Sequence, residues 1–224
     1  MDLSAMYDYL QHNTIKLFKD RDAAAECLIP KIQSVCHDID YFVCILKGGF
    51  PIGRKLQSVF NSTKLITCPI TKICSSTDGY WGIGALCVDG KPFINRDACL
   101  AFGETEQSIS QKITMAKEKH FALLVGLQYS PEELSELCGH NVLVIDDGIA
   151  TGYSIIAAYK SIVKYSTPRS IIIATPVISS YALNYLSSCL ADVNICYFYR
   201  SDDSLFLVDA FYENFHQLTI EDIK

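Results

Sequence analysis

The run Val142-Leu143-Val144-Ile145-Asp146-Asp147-Gly148-Ile149-Ala150-Thr151-Gly152-Tyr153-Ser154 narrows the choice of fold more than any other part of the chain. Four consecutive aliphatic residues suit a strand covered on both faces, and such strands belong to parallel sheets flanked by helices. The Gly-x-x-x-Gly turn then leads into Ile155, Tyr159 and Ile162 at helical spacing. Asp146 and Asp147 therefore emerge at the carboxyl end of a central strand, where open α/β sheets bind ligands.

Two adjacent carboxylates repel, and burying an unpaired charge costs on the order of several kcal/mol, so a compensating group is required. Sugar hydroxyls or a hydrated Mg²⁺ would serve. The loop Gly148 to Gly152 offers amides at a helix N-terminus, and Thr151 and Ser154 add hydroxyls, an arrangement that favours a phosphate. Hydroxyl-seeking acids beside a phosphate cradle describe a ribose 5-phosphate. An ordinary strand-loop-helix connection with acids at its rim is the competing reading of the same residues.

A second candidate follows the strand pattern Tyr41 to Leu46, which runs into Lys47-Gly48-Gly49-Phe50-Pro51-Ile52-Gly53-Arg54. Paired glycines let main-chain amides approach an anion, and Lys47 adds positive charge. A plain strand-to-helix turn is again the alternative. Lys64 to Thr71 reads as a further strand, and the small, polar, glycine-rich stretch Lys72 to Gly84 as a mobile loop with Lys72 at its base.

The remaining pattern is regular. Leu3 to Val35 is helical, opening a second helix at Asp20-Arg21-Asp22 and bending at Pro30, with Arg21 solvated or locally paired. Leu86 to Ile94 is a hairpin turning at Asp89-Gly90. Asn95 to Gly126 is helical, with the run Lys117-Glu118-Lys119-His120 on a solvent face, and Ser130-Pro131-Glu132-Glu133 carries a helix start. Arg169 to Ile178, Ser179 to Leu190 and Val193 to Tyr199 read as strand, helix and strand. For Tyr212 and Phe215 in the aromatic tail, core packing is favoured over stacking on a base, and the histidines read as structural or surface groups. Alternating strands and helices predict an α/β protein, Rossmann-like, with a mostly parallel sheet and helices on both faces.

With 224 residues, half of them hydrophobic, the chain is expected to form one domain over 1–224. A net charge of -6 and a pI near 5.3 argue against a nucleic-acid or anionic-membrane surface. No stretch approaches the ~20 apolar residues of a membrane span. Ten cysteines without a CxxC pair suit small core residues in a reducing cytoplasm and not a zinc site.

The string Asp146-Asp147-Gly148-Ile149-Ala150-Thr151-Gly152 resembles the phosphoribosyl-diphosphate (PRPP) motif of the type I phosphoribosyltransferases. Phe18 to Ala23, Lys47 to Pro51, Ile83-Gly84-Ala85 before Asp89-Gly90, and Phe211 to Phe215 extend the likeness to the small stand-alone predicted phosphoribosyltransferases, over nearly the whole chain. This resemblance implies the type I phosphoribosyltransferase fold with a small hood and a mobile loop, commonly a homodimer. It implies Mg²⁺-dependent transfer of 5-phosphoribosyl from PRPP to an unidentified acceptor, a nitrogenous base being the expectation, with release of pyrophosphate. In that scheme Asp146 and Asp147 bind the ribose hydroxyls and, indirectly, Mg²⁺. Gly148, Ile149, Ala150, Thr151, Gly152 and Ser154 bind the 5-phosphate. Lys47, Gly48, Gly49 and Lys72 bind pyrophosphate, on a loop after the first strand that often carries a non-proline cis peptide in these proteins.

Ala150 stands where hypoxanthine-guanine enzymes of this fold carry Asp, which disfavours a 6-oxopurine acceptor. Thr71-Lys72 replaces Arg-Lys, Tyr80 stands where Glu is usual, and no Tyr-Arg occurs between His120 and Ser130. These departures keep a second function open, a PRPP- or nucleotide-binding sensor without turnover. A haloacid-dehalogenase-like phosphatase needs Asp-x-Asp after the strand, a spacing that Asp146-Asp147-Gly148 does not supply.

Overall fold

A computed structural model describes residues 15–36, 38–75, 81–203 and 205–223. The chain order is α1 (Arg21–Val35), β1 (Tyr41–Ile45), α2 (Gly49–Gln57), β2 (Lys64–Cys68), β3 (Thr71–Cys74), β4 (Gly82–Leu86) and β5 (Pro92–Ile94). Then come α3 (Arg96–Ala101), α4 (Glu106–Leu127), β6 (Asn141–Ile145), α5 (Tyr153–Tyr165), β7 (Ser170–Ser179), α6 (Ser180–Cys189) and β8 (Asn194–Ser201). Five strands form one sheet in the order β2-β1-β6-β7-β8, with every neighbouring pair parallel. A separate antiparallel sheet, β3-β4-β5, is the small hood.

Strand alternation sorts the core onto the two faces of the main sheet. Tyr41, Val43, Val142 and Val144 meet Ile155, Ala158 and Ile162 of α5 and Leu186 of α6. Phe42, Cys44, Leu143 and Ile145 meet Ala25, Leu28 and Ile32 of α1 and Ile52 and Leu56 of α2. Helices thus cover both faces, which is why β1 and β6 read as unbroken apolar runs. The hood closes over its own cluster, Ile73, Ile83 and Leu86 against Cys99 of α3 and Ile109 and Ala116 of α4.

Several boundaries differ from the sequence expectation. Lys64 to Thr71 is not one strand: β2 ends at Cys68 and β3 begins at Thr71 in the other sheet. Pro69 between them lacks the N–H a continuing ladder needs. Lys72 to Gly84 is not a loop throughout, because Lys72, Ile73 and Cys74 pair with β4 and bury Ile73 and Ile83; residues 76–80, including Tyr80, lie outside the described residues. The helix expected from Asn95 to Gly126 is two helices, broken where Gly103 adopts φ +67 and Thr105 caps α4 with its side chain. Pro30 does not bend the chain out of α1; it stands on the exposed face while Leu28 and Ile32 are buried. The helical pattern expected over residues 3–14 lies outside the described residues.

The neighbours β1 and β6 force a close approach between the loops that follow them. A Cβ on Gly49 would lie 2.2 Å from the Ile145 carbonyl oxygen, a backbone atom that cannot swing away. Gly49→Ala is therefore expected to destabilise the protein by about 1–3 kcal/mol, measured by urea unfolding. An unchanged midpoint would refute this packing.

Candidate functional site

In a sheet ordered β2-β1-β6-β7-β8 the connections leave β1 in opposite directions, which opens a crevice between the carboxyl ends of β1 and β6. The loops Leu46-Lys47-Gly48-Gly49 and Asp146-Asp147-Gly148 both lie there, as the sequence predicts. The Leu46–Lys47 peptide is cis, the non-proline cis bond implied for this loop. A Cβ on Gly48 would fall 2.1 Å from Asp147 Oδ2, so only glycine allows the first loop to lie against the acid.

Both acids are buried, Asp146 at 6% and Asp147 at 8% relative exposure, and their environments differ. Asp147 is held by Arg21, whose Nε and Nη2 each lie 2.9 Å from its Oδ2. Arg21 in turn donates from Nη1 to the His216 carbonyl at 3.0 Å, and its guanidinium lies over the Phe215 ring at 3.9 Å. The Tyr212 hydroxyl donates to the Asp147 carbonyl at 2.6 Å. Asp146 accepts the Asp147 amide on Oδ1 at 2.9 Å and has no such cationic clamp. Burial pushes its carboxyl up to about 8; the adjacent Asp147 charge adds to this, and Lys72 opposes it.

Beyond the acids, Gly152 adopts φ +80 and starts α5 without a side-chain cap. Among the described residues, the amides of Ala150, Thr151 and Gly152 meet no backbone carbonyl. Unpartnered amides at the N-terminus of a 13-residue helix are an arrangement that favours an anion. They open on a cavity of about 50 Å³ lined by Lys72, Gly82, Asp146 and residues 148–155. One residue of the expected cradle does not fit. The Ile149 amide donates to the Val177 carbonyl at 2.9 Å and its side chain is buried, because the loop is tied to β7 at that point, so Ile149 offers no donor.

A larger cavity of about 730 Å³ adjoins, lined by Arg21, Lys47, Gly48, Lys72, both acids and the segment from Phe206 to Ile220. Lys72 borders both spaces from β3. Lys47 lines the larger one, with Nζ 2.7 Å from the Leu218 carbonyl.

Sequence reasoning missed Arg21, which is buried at the site and not solvated. A signal existed. A cation in the first helical turn faces the positive end of the helix dipole, an unfavourable position unless a tertiary carboxylate compensates. Nor is the run Lys117 to His120 a uniform solvent face. His120 is buried, with Nδ1 3.0 Å from Thr71 Oγ1 and Nε2 3.2 Å from the Val88 carbonyl, and Lys119 lines the larger cavity. Tyr212 and Phe215 pack against each other and Phe18 against Tyr212, as expected of core aromatics.

No family model matches the sequence. Among solved structures the chain is similar to TT1426 from Thermus thermophilus, at 20% identity, covering 92% of this chain and 95% of that one with a TM-score of 0.64. It is similar to the AQ2163 protein from Aquifex aeolicus at 13% identity, covering 80% and 72%, with a TM-score of 0.50. It also aligns with a purine phosphoribosyltransferase from Pyrococcus horikoshii Ot3 at 14% identity, covering 88% and 92%, with a TM-score of 0.45. The likeness to TT1426 shows the fold alone, an α/β architecture with a parallel five-stranded sheet beside a smaller antiparallel one.

Two outcomes are expected from the acid pair. Arg21→Met leaves Asp147 buried and unpaired and should cost about 3–5 kcal/mol, with Arg21→Met/Asp147→Asn recovering much of the loss in urea unfolding. Additive losses would refute the coupling. Folded Asp146 holds its proton more tightly than the unfolded chain, so its stabilising contribution is complete below an unfolded pKa of about 4 and is lost as pH rises through about 8. The Tm of the metal-free protein should fall across that window, with a shallower fall in Asp146→Asn. Identical slopes would count against the assignment.

Proposed function

We propose that this chain is a phosphoribosyltransferase that takes PRPP and transfers its 5-phosphoribosyl group to an acceptor nitrogen. The observation that carries this reading is the uncapped N-terminus of α5, its loop amides unpartnered, directly beside a buried acid pair at the switch point. The amides of Gly148, Ala150, Thr151 and Gly152 with the Thr151 and Ser154 hydroxyls hold the 5-phosphate. Asp146 and Asp147 hold the ribose hydroxyls. Lys47, Lys72 and the Gly48 amide face the leaving diphosphate across the larger cavity, and Gly49, packed against the Ile145 carbonyl, supports that loop from behind.

The acceptor nitrogen's lone pair forms the bond to the anomeric carbon as the bond from that carbon to the diphosphate oxygen breaks. The electron pair of the broken bond leaves on diphosphate, and the acceptor's proton passes to solvent. The negative field of the acid pair favours positive charge developing on the sugar. Fixing the 5-phosphate orients the ring for attack.

Among the described residues no three His, Cys, Asp or Glu side chains converge on a metal position, and Asp147 is already engaged by Arg21, so an all-protein Mg²⁺ cage does not fit. A hydrated ion carried mainly by the diphosphate does fit, with Asp146 as the carboxylate that borders both cavities. Such an ion would neutralise charge on the leaving group.

A second reading, PRPP or nucleotide binding without turnover, is favoured by the internal engagement of two of the side chains assigned to catalysis. Asp147 is clamped by Arg21, and Lys47 is bonded to the Leu218 carbonyl. Burial of five of the ten free thiols suits a reducing compartment, and we place either activity in the cytoplasm. No helix among the described residues is long and apolar enough to cross a membrane.

Titration calorimetry tests the donor site. PRPP with Mg²⁺ should bind the wild type, and Asp146→Asn should weaken binding about tenfold, ~1.4 kcal/mol. Wild-type protein that ignores PRPP with and without Mg²⁺ ends the proposal. Diphosphate release with any acceptor decides for the transferase over the sensor.

A further inference from the structure

The larger cavity extends well past the groups that PRPP needs. One part of its wall is aliphatic, with Ile70 ahead of β3, Leu123 from α4, and Leu207, Val208, Leu218 and Ile220 from the C-terminal segment. At the rim stands Lys119, one helical turn before Leu123, so Lys119, Ala122 and Leu123 present a single face of α4 to the space. Among the described residues Lys119 makes no ion pair, whereas Arg21, the other cation on this wall besides Lys47 and Lys72, is matched to Asp147.

Polar groups able to read the edge of a nucleobase are scarce here. The Thr71 hydroxyl is engaged with His120 Nδ1, and Asp209 has a partner of its own. Gln217 is exposed. Ala150, Val208 and Phe215, which line the same cavity as the acid pair, each pack against the aromatic cluster of Phe18, Phe206, Phe211 and Tyr212, so that side of the space is apolar too. A site that discriminates bases needs convergent donors and acceptors, since its power to reject analogues comes from buried polar groups left unpaired by the wrong ligand. An aliphatic wall rimmed by an unmatched ammonium matches a different ligand, an apolar body carrying an anionic substituent.

We propose that the acceptor, taken on the transferase reading above, is an apolar-bodied amine bearing a carboxylate, and that Lys119 selects for that carboxylate. The nucleobases common to enzymes of this fold are then poor ligands of this cavity. Lys119 is exposed on α4, whereas the 5-phosphate cradle is built by the loop before α5. Replacing Lys119 removes no group assigned to the donor half.

The test uses the full chain in saturating inorganic diphosphate and Mg²⁺, which occupy the cations of the donor half without reaction. Calorimetric titration with 2-aminobenzoate, 2-aminobenzamide and adenine compares charge and body independently. The carboxylate should bind at least about threefold more tightly than its amide, the scale of an exposed ion pair, and more tightly than adenine. In Lys119→Gln the carboxylate preference should vanish, while PRPP binding in a separate titration stays within about twofold, as expected when no donor-site interaction is removed.

Adenine binding best, equal binding of carboxylate and amide, a preference that survives Lys119→Gln, or no binding of either aminobenzene would each overturn the inference. Loss of PRPP binding in Lys119→Gln would move Lys119 into the donor site and overturn it as well. Wild-type PRPP binding without a carboxylate preference removes this inference alone. A carboxylate preference in a protein that ignores PRPP removes the transferase reading instead, so the two failures are distinguishable.

Discussion

Residues from three distant parts of the chain converge on Asp147. Gly48 lies against it from the loop after β1, Arg21 clamps it from the first turn of α1, and Tyr212 bonds the carbonyl of the same residue from the C-terminal segment. A buried carboxylate without those partners would be untenable, because the effective penalty for each desolvated ion is several kcal/mol on the order-of-magnitude scale. The α1 entry, the loops after β1 and β6 and the C-terminal segment meet at this one residue, whose charge must be matched. Phe215 beneath the guanidinium and Phe18 against Tyr212 extend the same contact into the aromatic cluster at that end of the sheet.

The acid pair is adjacent in sequence and unequal in setting. Arg21 is paired with Asp147, while burial and the neighbouring acid make Asp146 resist ionisation. An ion-paired carboxylate beside an acid that holds its proton suits hydroxyl recognition, where one accepts a hydrogen bond and the other donates one. A cationic partner, such as a sugar with developing positive charge, favours ionisation of the second acid. This difference in partners links the packing of the site to the chemistry proposed for it.

Much of the architecture could be read from local pattern. The apolar run before Asp146, the alternation of strands and helices after it, the turn at Asp89-Gly90 and the capping box at Ser130 all appear where the residues indicated them, because each depends on short-range periodicity or backbone conformation. Errors cluster where a tertiary partner outweighs a local preference. Pro30 stays inside α1 because its flanking residues are buried under the sheet. Lys72 and Ile73 form a strand because β4 supplies the ladder and the hood core buries Ile73. Arg21 and Lys119, each unremarkable among neighbouring charges, line the cavity because helices α1 and α4 pass beside it.

By itself the sequence determined which residues could form strands and where two acids would meet a glycine-bracketed loop, since side-chain alternation and the conformational reach of glycine are properties of a few consecutive residues. It could not determine which strand lies beside which, and so could not bring Gly48 to Asp147, nor place Arg21 on the acid from 126 residues away. Those contacts depend on the order of strands across the sheet. The tertiary structure alone set the different partners of the two acids and the apolar wall of the cavity they line, because burial and long-range pairing are properties of the assembled core and not of any segment within it.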